Sequence, residues 1–292
     1  MNSSATVPSF LENREGFLKR IVERLGRYPS DFQSLHGQIQ ASAKTTQPRL
    51  AAGVLVPLLF AERRTADPGP SGYAFQLLKR SARVSQPGDL SCPGGIIHPR
   101  LDPLLGMLLR HGGLPILDGA PRSFATRRGA DSARLIASFL ANALRESWEE
   151  IRLSPCRVRF LGPLPTYTLT LFRRTIFPLV GFVEKPGPLR PNREVERLVE
   201  IPLAAFYDAD RIGCYRLSSP DPRRPHLGYP LDHPCLIHRN PDGGEEILWG
   251  ATFQILTQFL EIVLDYRLPA WQKGRVIERT LPPRYLNGSV PP

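Results

Sequence analysis

The stretch that most restricts how this chain can fold is Ala141 to Leu153, ANALRESWEEIRL. A helix turns the chain by about 100° per residue, so Glu146, Glu149 and Glu150 fall on one face within an arc of roughly 100°. Ile136, Leu140, Ala143, Leu144 and Ile151 fall on the adjoining face. That apolar face has to be buried, most simply against a sheet, which leaves the acids at its edge. Three carboxylates at this spacing repel one another and weaken the helix. Water dissipates the repulsion if the face is simply solvated. A bound divalent cation neutralises it, and hard oxygen ligands suit Mg²⁺ or Mn²⁺. Arg145, inside the same segment, supplies a structural ion pair.

Around this segment the chain is heavily punctuated. Its 292 residues include 31 prolines and 24 glycines, which predict many turns and short elements and exclude one long helical bundle. With 41% hydrophobic and 22% charged residues, a sizeable core is affordable. The formal net charge of +11 has two readings: attraction to anions such as nucleotides, or an arginine-rich composition spread along the chain. There is no dense basic run of the kind that nucleic-acid-binding tails carry. Cys92, Cys156, Cys214 and Cys235 lie far apart, so reduced thiols are the default. Met1 to Phe10 lacks a basic-then-apolar secretory pattern. The longest apolar run, Leu50 to Ala61, is too short to cross a bilayer and is broken by Pro57. The expectation is a soluble cytoplasmic protein with no membrane partner.

Helical spacing of Phe10, Phe17, Ile21 and Leu25 predicts a helix over Pro8 to about Arg27. The polar stretch Ser30 to Pro48 reads as a linker. AAGVLVPLLF (51–60) and YAFQLLK (73–79) read as strands joined by the turn signal ADPGPSG, a hairpin-like pair. Leu104 to Arg110 is short and amphipathic, and a loop rich in Arg, Gly and Pro follows, up to Gly129. Asp131 is the expected N-cap of a helix from Ser132 to about Arg152. VRFLGPLP and TIFPLVGFV are β-rich, Glu196 to Phe206 has helix character, and Tyr215 to Gly250 reads as irregular strands and loops. Ala251 to Tyr266 is an apolar helix, and the proline-rich tail from Pro269 is expected to be loosely held.

Pro93-Gly94-Gly95 precedes the acidic helix, and glycine there permits a tight turn and close backbone approach to a ligand. A Pro-Gly-Gly turn followed by a helix bearing Arg145-Glu146, then Glu149-Glu150 and a closing apolar Leu153, resembles the Nudix box. The departures are Ser147 at a usually apolar position, Arg152 where glycine is usual, and Leu101 in the slot of an early acidic residue, with Asp102 directly after it. A segment from Pro103 to about Ala137 is inserted into the box. The resemblance implies an α/β fold, a Nudix-type α/β/α sandwich with a mixed central sheet, an N-terminal helical extension and the inserted segment. It divides the chain into an extension and linker (1–47), a Nudix hydrolase domain (48–268, insertion about 103–137) and a tail (269–292).

Beyond the box, Lys79-Arg80-Ser81, LGPLP (161–165), FPLVG (177–181), Glu194-Val195, EIPL (200–203) and WGAT (249–252) look like the coenzyme A pyrophosphatase branch. Gln86 stands near the position of the branch's usual His, Cys92 replaces its Phe and Leu78 its Thr. The resemblance implies metal ligation by Glu146, Glu149 and Glu150. It implies a general base among Glu149, Glu150 and the downstream loop residue Glu194. Substrate contacts would come from Arg80, Gly94 and Gly95, Arg80 being otherwise a strand-end surface arginine. The implied reaction is metal-dependent hydrolysis of a diphosphate linkage in a nucleotide-like small molecule, coenzyme A or its thioesters first. ADP-ribose or a dinucleotide as substrate, and a catalytically weak nucleotide- or RNA-binding module, are the alternatives. Nucleic acid is not the expected partner, and the oligomeric state is left open, a homodimer being one option. HPCLIH (233–238) brings His233, Cys235 and His238 close, but no fourth ligand follows at zinc-finger spacing.

Overall fold

The computed structural model describes residues 14–43, 45–61, 72–111, 116–169, 173–218, 231–240, 243–280 and 285. The fold is mixed α/β. Helix α1 (Arg14–Arg27) and helix α2 (Phe32–Ser42) precede strand β1 (Leu50–Ala61), the centre of the main sheet. Strand β2 (Gly72–Arg80) runs antiparallel to β1, as the hairpin-like reading required, although the turn between them lies outside the described residues. Strands β3 (Leu90–Ser91) and β4 (Gly94–Ile96) are short, β4 lying antiparallel to β1 at Ala52–Val54. Helices α3 (Leu101–His111), α4 (Gly119–Arg127) and α5 (Ala130–Ile151) come next. Strands β5 (Val158–Pro163), β6 (Tyr167–Leu169), β7 (Arg174–Val183) and β8 (Val195–Pro202) complete an eight-stranded sheet, ordered β3-β2-β1-β7-β5 with β4, β6 and β8 off that path. Among the described residues β1 and β7 pair in parallel and the other pairs are antiparallel, so the sheet is mixed.

A second, four-stranded sheet follows. It contains β9 (Ile212–Ser218), β10 (Leu231–Arg239), β11 (Glu245–Trp249) and β12 (Val276–Thr280), in the order β11-β10-β9-β12. Helix α6 (Gly250–Leu264) lies between β11 and β12 in sequence. His233 and Cys235 alternate away from His238 along β10, which places His238 on the opposite face of that strand.

Period-two alternation along β1 builds two cores. Val56 and Leu58 face a cluster with Phe17 and Ile21 of α1 and Phe253, Phe259 and Leu260 of α6. Ala51 and Leu55 face a cluster with Phe32 of α2 and Ile136, Phe139 and Leu140 of α5. Helices therefore cover both faces of the main sheet. Within the second cluster the Phe139 and Phe177 rings stack at 3.9 Å, with Phe32 edge-on to Phe177 at 4.9 Å.

Several expectations change. Part of Ser30–Pro48 is not a linker but helix α2, because Phe32 and Ile39, seven residues apart, bury one face against α5. The loop expected before Gly129 contains α4, with Asp118 as its N-cap accepting from the Gly119 N–H. Asp131 sits in the first turn of α5, and Gly129 is its N-cap. Glu196 to Phe206 is strand β8 followed by a single 3₁₀ turn, because pairing with β2 outweighs helical spacing. Tyr215 to Gly250 is more regular than expected, supplying three paired strands. The tail is partly held: β12 pairs in parallel with β9. The start of the first predicted helix, before Arg14, lies outside the described residues.

Helices α3 and α4 are docked on the fold. Gly106 of α3 lies so close to α5 that an added Cβ would meet the Ser138 N at 2.7 Å. The Arg128 guanidinium donates to the carbonyls of Leu25 (2.8 Å) and Gly26 (3.1 Å), which satisfies free acceptors at the C-terminal end of α1.

Candidate active site

Strand β1 and helix α5 set the site. Asn142, fully buried, accepts from the Gly53 N–H of β1 at 2.8 Å and donates to the Ile96 carbonyl beyond the Pro-Gly-Gly turn at 3.3 Å. A single amide thus fastens the helix to both strands, and Gly53 is required because its Cβ would lie 2.6 Å from the Asn142 Oδ1. Sequence reasoning passed over Asn142. The available signal was a polar residue within the apolar run of a buried helix.

From that anchor, successive helical turns place Glu146 and Glu150 over the glycine turn. The Gly94 N–H donates to the Glu150 Oε2 at 3.1 Å. Gly94 has φ +152°, and a Cβ there would lie 2.4 Å from the Gly53 carbonyl oxygen. A Cβ on Gly95 would lie 2.5 Å from the Glu146 carboxyl carbon. Two glycines in sequence therefore allow two carboxylates to approach the backbone of β4.

Asp102 and Arg145, 43 residues apart, meet in space. Asp102, with no exposed surface, takes Arg145 Nε at 2.9 Å and Nη2 at 3.2 Å on its two oxygens, and it also accepts from the His98 N–H at 2.7 Å. Arg145 reaches Glu146 at 2.8 Å and Glu149 at 3.0 Å as well. One guanidinium thus faces three carboxylates, and its proton is held more tightly than usual, chiefly by the Asp102 hydrogen bonds.

Burial pushes the Glu150 carboxyl up to about 8. The Gly94 N–H and Arg80 act against burial there, and Glu146 and Glu194 reinforce it. Glu146 is shifted upward too, first by burial, against the pull of Arg145. Glu149 is the exposed member of the trio.

The loop before β8 caps the same helix end. The Asn192 N–H donates to the Glu150 carbonyl at 2.7 Å and the Arg190 N–H to that of Ile151 at 2.9 Å. The Asn192 Oδ1 accepts from the Glu194 N–H at 2.8 Å, and the Ser81 N–H donates to the Glu194 carbonyl at 2.9 Å. Glu194, Arg80 and Glu150, distant in sequence, become electrostatic neighbours.

Arg152 adopts the left-handed conformation with φ +60° as the C-cap of α5. Its guanidinium lies 5.3 Å from the Trp148 ring centre. Left-handed geometry costs a residue with a Cβ about 1–2 kcal/mol, more than an exposed cation–π contact returns, about 0.5–1 kcal/mol. Arg152→Gly is therefore expected to stabilise the protein by up to about 1 kcal/mol, measured as a rise in the urea midpoint. A lowered midpoint would refute this account.

A cleft of about 480 Å³ opens beside Gly94 and Gly95. Tyr167, Leu169, Ile176, Leu217 and Trp249 give it apolar walls, and Arg80, Arg174, Gln86 and Asp89 are among its polar groups. The Trp249 Nε1 donates to Asp89 at 3.1 Å. The Tyr285 hydroxyl donates to the other Asp89 oxygen, and the Tyr285 carbonyl accepts from the Gln86 N–H at 2.8 Å. Trp249, Arg174 and Tyr285 were not foreseen as site residues.

Glu146, Glu149 and Glu150 offer only hard carboxylate oxygens, close together and incompletely neutralised, a donor set that fits Mg²⁺ or Mn²⁺. As placed, no three His, Cys, Asp or Glu among the described residues already converge on one ion position. Among the described residues no helix is long and apolar enough to cross a membrane.

No protein-family model matches the chain. A curated protein of Cronobacter sakazakii (strain ATCC BAA-894), described as the uncharacterized Nudix hydrolase NudL, is 27% identical over 233 residues, covering 79% of this chain and 84% of that protein. Solved structures show a more remote likeness. A C. elegans Ap4A hydrolase binary complex is 13% identical with a TM-score of 0.32, over 53% of this chain and 80% of the other. The NUDIX domain of Shewanella oneidensis NrtR complexed with ADP ribose is 12% identical with a TM-score of 0.33, over 57% and 83%. By this relative the chain is similar to a protein described as a Nudix hydrolase.

Proposed function

We propose that this chain is a Nudix-type hydrolase that uses a divalent metal to open a diphosphate linkage in a nucleoside-diphosphate derivative, coenzyme A or its thioesters being the first choice. The observation that carries the reading is the seating of Glu146 and Glu150 on Gly95 and Gly94, with Arg145 bound to Asp102 behind them. The named relative supports the hydrolase class. The coenzyme A preference rests on the motif resemblance around Arg80-Ser81 and Trp249-Gly250-Ala251-Thr252, and on a cleft lined by apolar side chains and two arginines.

In this reading Glu146, Glu149 and Glu150 hold Mg²⁺ or Mn²⁺, and the ion supplies charge neutralisation at the phosphoryl oxygens and a more acidic water. Arg145 fixes the first two carboxylates and keeps their repulsion from unwinding the last turns of α5. Glu149, Glu150 and Glu194 are the groups positioned to take the water proton. The Gly94 N–H orients Glu150, and the 190–194 loop brings Glu194 to the same end of the helix. Arg80 holds a phosphate of the substrate through its guanidinium.

The test is product release from coenzyme A, acetyl-coenzyme A, ADP-ribose, NADH and diadenosine polyphosphates, with Mg²⁺ or Mn²⁺ and with chelator. Cleavage that needs the metal is the expected result, with coenzyme A or its thioester turned over with the highest kcat/KM. Faster turnover of ADP-ribose would keep the hydrolase and replace its substrate. No cleavage of any compound would remove the coenzyme A assignment.

A further inference from the structure

The cleft contains two arginines that form no ion pair with a carboxylate among the described residues. Arg174 opens β7 and is held on both sides by the ladder, paired with Leu50 of β1 and Leu169 of β6. Its Nε is buried and has no hydrogen-bond partner among the described residues. Arg80, at the end of β2, is oriented by its own loop: Nε donates to the Ser85 carbonyl at 2.8 Å and Nη2 to the Ser85 hydroxyl at 3.3 Å. Both side chains line the cleft. They stand close enough that Arg80, together with burial, weakens the hold of Arg174 on its proton.

Two like charges on β2 and β7, the strands that flank β1, one with a buried donor unsatisfied, are costly as they stand. Elsewhere in this fold Arg145 meets Asp102 and Lys79 meets Glu246. The nearest acid in the cleft, Asp89, has an oxygen occupied by Trp249 and the other by Tyr285. An anion between the two guanidinium groups would remove the repulsion and satisfy the free donor. Phosphate oxygens suit it best, since a guanidinium presents paired N–H donors at the matching spacing.

We infer that Arg174 is a substrate-binding residue, and that with Arg80 it forms a two-arginine seat for a phosphoryl group in the cleft beside the glutamate cluster. This rests on reading the cleft as the substrate chamber, but it concerns binding and does not require turnover. Arg80 also lies near Glu150, so the seat takes a phosphoryl group next to the one at the carboxylates. Ligands with two or more linked or neighbouring phosphates would then be preferred over monophosphates.

The experiment measures inorganic pyrophosphate binding to the full chain by calorimetry in excess EDTA, with native protein, Arg174→Gln and Arg80→Gln. EDTA removes metal-mediated binding at the glutamates, so loss of hydrolysis and loss of this seat are separately visible. Each substitution is expected to weaken pyrophosphate at least about tenfold, the scale of one lost charge-assisted contact. Arg134→Gln should leave pyrophosphate affinity within about twofold of native, because Arg134 pairs with the exposed Asp131 and does not line the cleft. Without ligand, Arg174→Gln should unfold at the same or a higher temperature than native, since it removes a like-charge contact. Equal pyrophosphate affinity in Arg174→Gln and native protein, no pyrophosphate binding by native protein, or a lowered unfolding temperature for ligand-free Arg174→Gln would each overturn the inference.

Discussion

Glu150→Gln and Glu149→Gln are each expected to lower kcat of the metal-dependent reaction by about 10²- to 10⁴-fold, the range associated with losing a positioned general base. Neither substitution should unfold the protein. A glutamine at 150 can still accept the Gly94 N–H bond, and Glu149 is exposed and contributes one contact to Arg145. Stopped assays at saturating Mg²⁺ or Mn²⁺, with thermal unfolding of the same samples, measure both. The comparison with Glu194→Gln is informative. If Glu194 is the base, its substitution lowers kcat with metal affinity unchanged, whereas loss of a ligand raises the metal concentration needed for half-maximal rate. A loss of less than about tenfold in all three variants would mean that the carboxylate cluster is not the reaction centre.

The second large effect is on stability. Asp102→Ala leaves Arg145 short of the partner that occupies both its Nε and Nη2. It also removes the acceptor of the His98 N–H where the chain turns into α3. Breaking a buried ion pair from one side costs about 3–5 kcal/mol. The low end applies here, because Arg145 keeps Glu146 and Glu149 and is partly exposed. At about 2–4 °C per kcal/mol for a domain of this size, the loss should be plain in a melting curve. Urea unfolding gives the free energy directly, and a change under about 1 kcal/mol would show that the contact contributes little net stability. Activity should fall as well, since Arg145 would no longer be fixed between Glu146 and Glu149.

Helix α5 shows how far local pattern reaches. Its apolar positions Ile136, Leu140, Ala143, Leu144 and Ile151 are all buried, as their spacing required, and its three glutamates stand at its other edge. Strands β1, β2 and β7 were readable for a similar reason: continuous runs of apolar residues have to be covered on both faces. Helix α2 was not readable, because two buried residues in a polar stretch are too few for a periodic signal. Strand β8 was misread because charged residues at helical spacing fit an edge strand equally well, and only its partner β2 decides between them.

The sequence by itself determined the chemistry available: a helix with clustered hard-oxygen donors, a glycine turn able to lie against them, and an arginine placed to hold them apart. Those are properties of short segments, set by helical geometry and by the absence of a side chain at glycine. Tertiary structure decided which distant groups complete the cluster. Asp102 reaches Arg145 only because α3 packs on α5 through Gly106. Glu194 comes near Glu150 only because its loop caps the helix end. Trp249 shares a cleft with Arg80 and Arg174 only because the second sheet lies beside the first. Such meetings depend on packing between elements far apart along the chain, and no local periodicity encodes them.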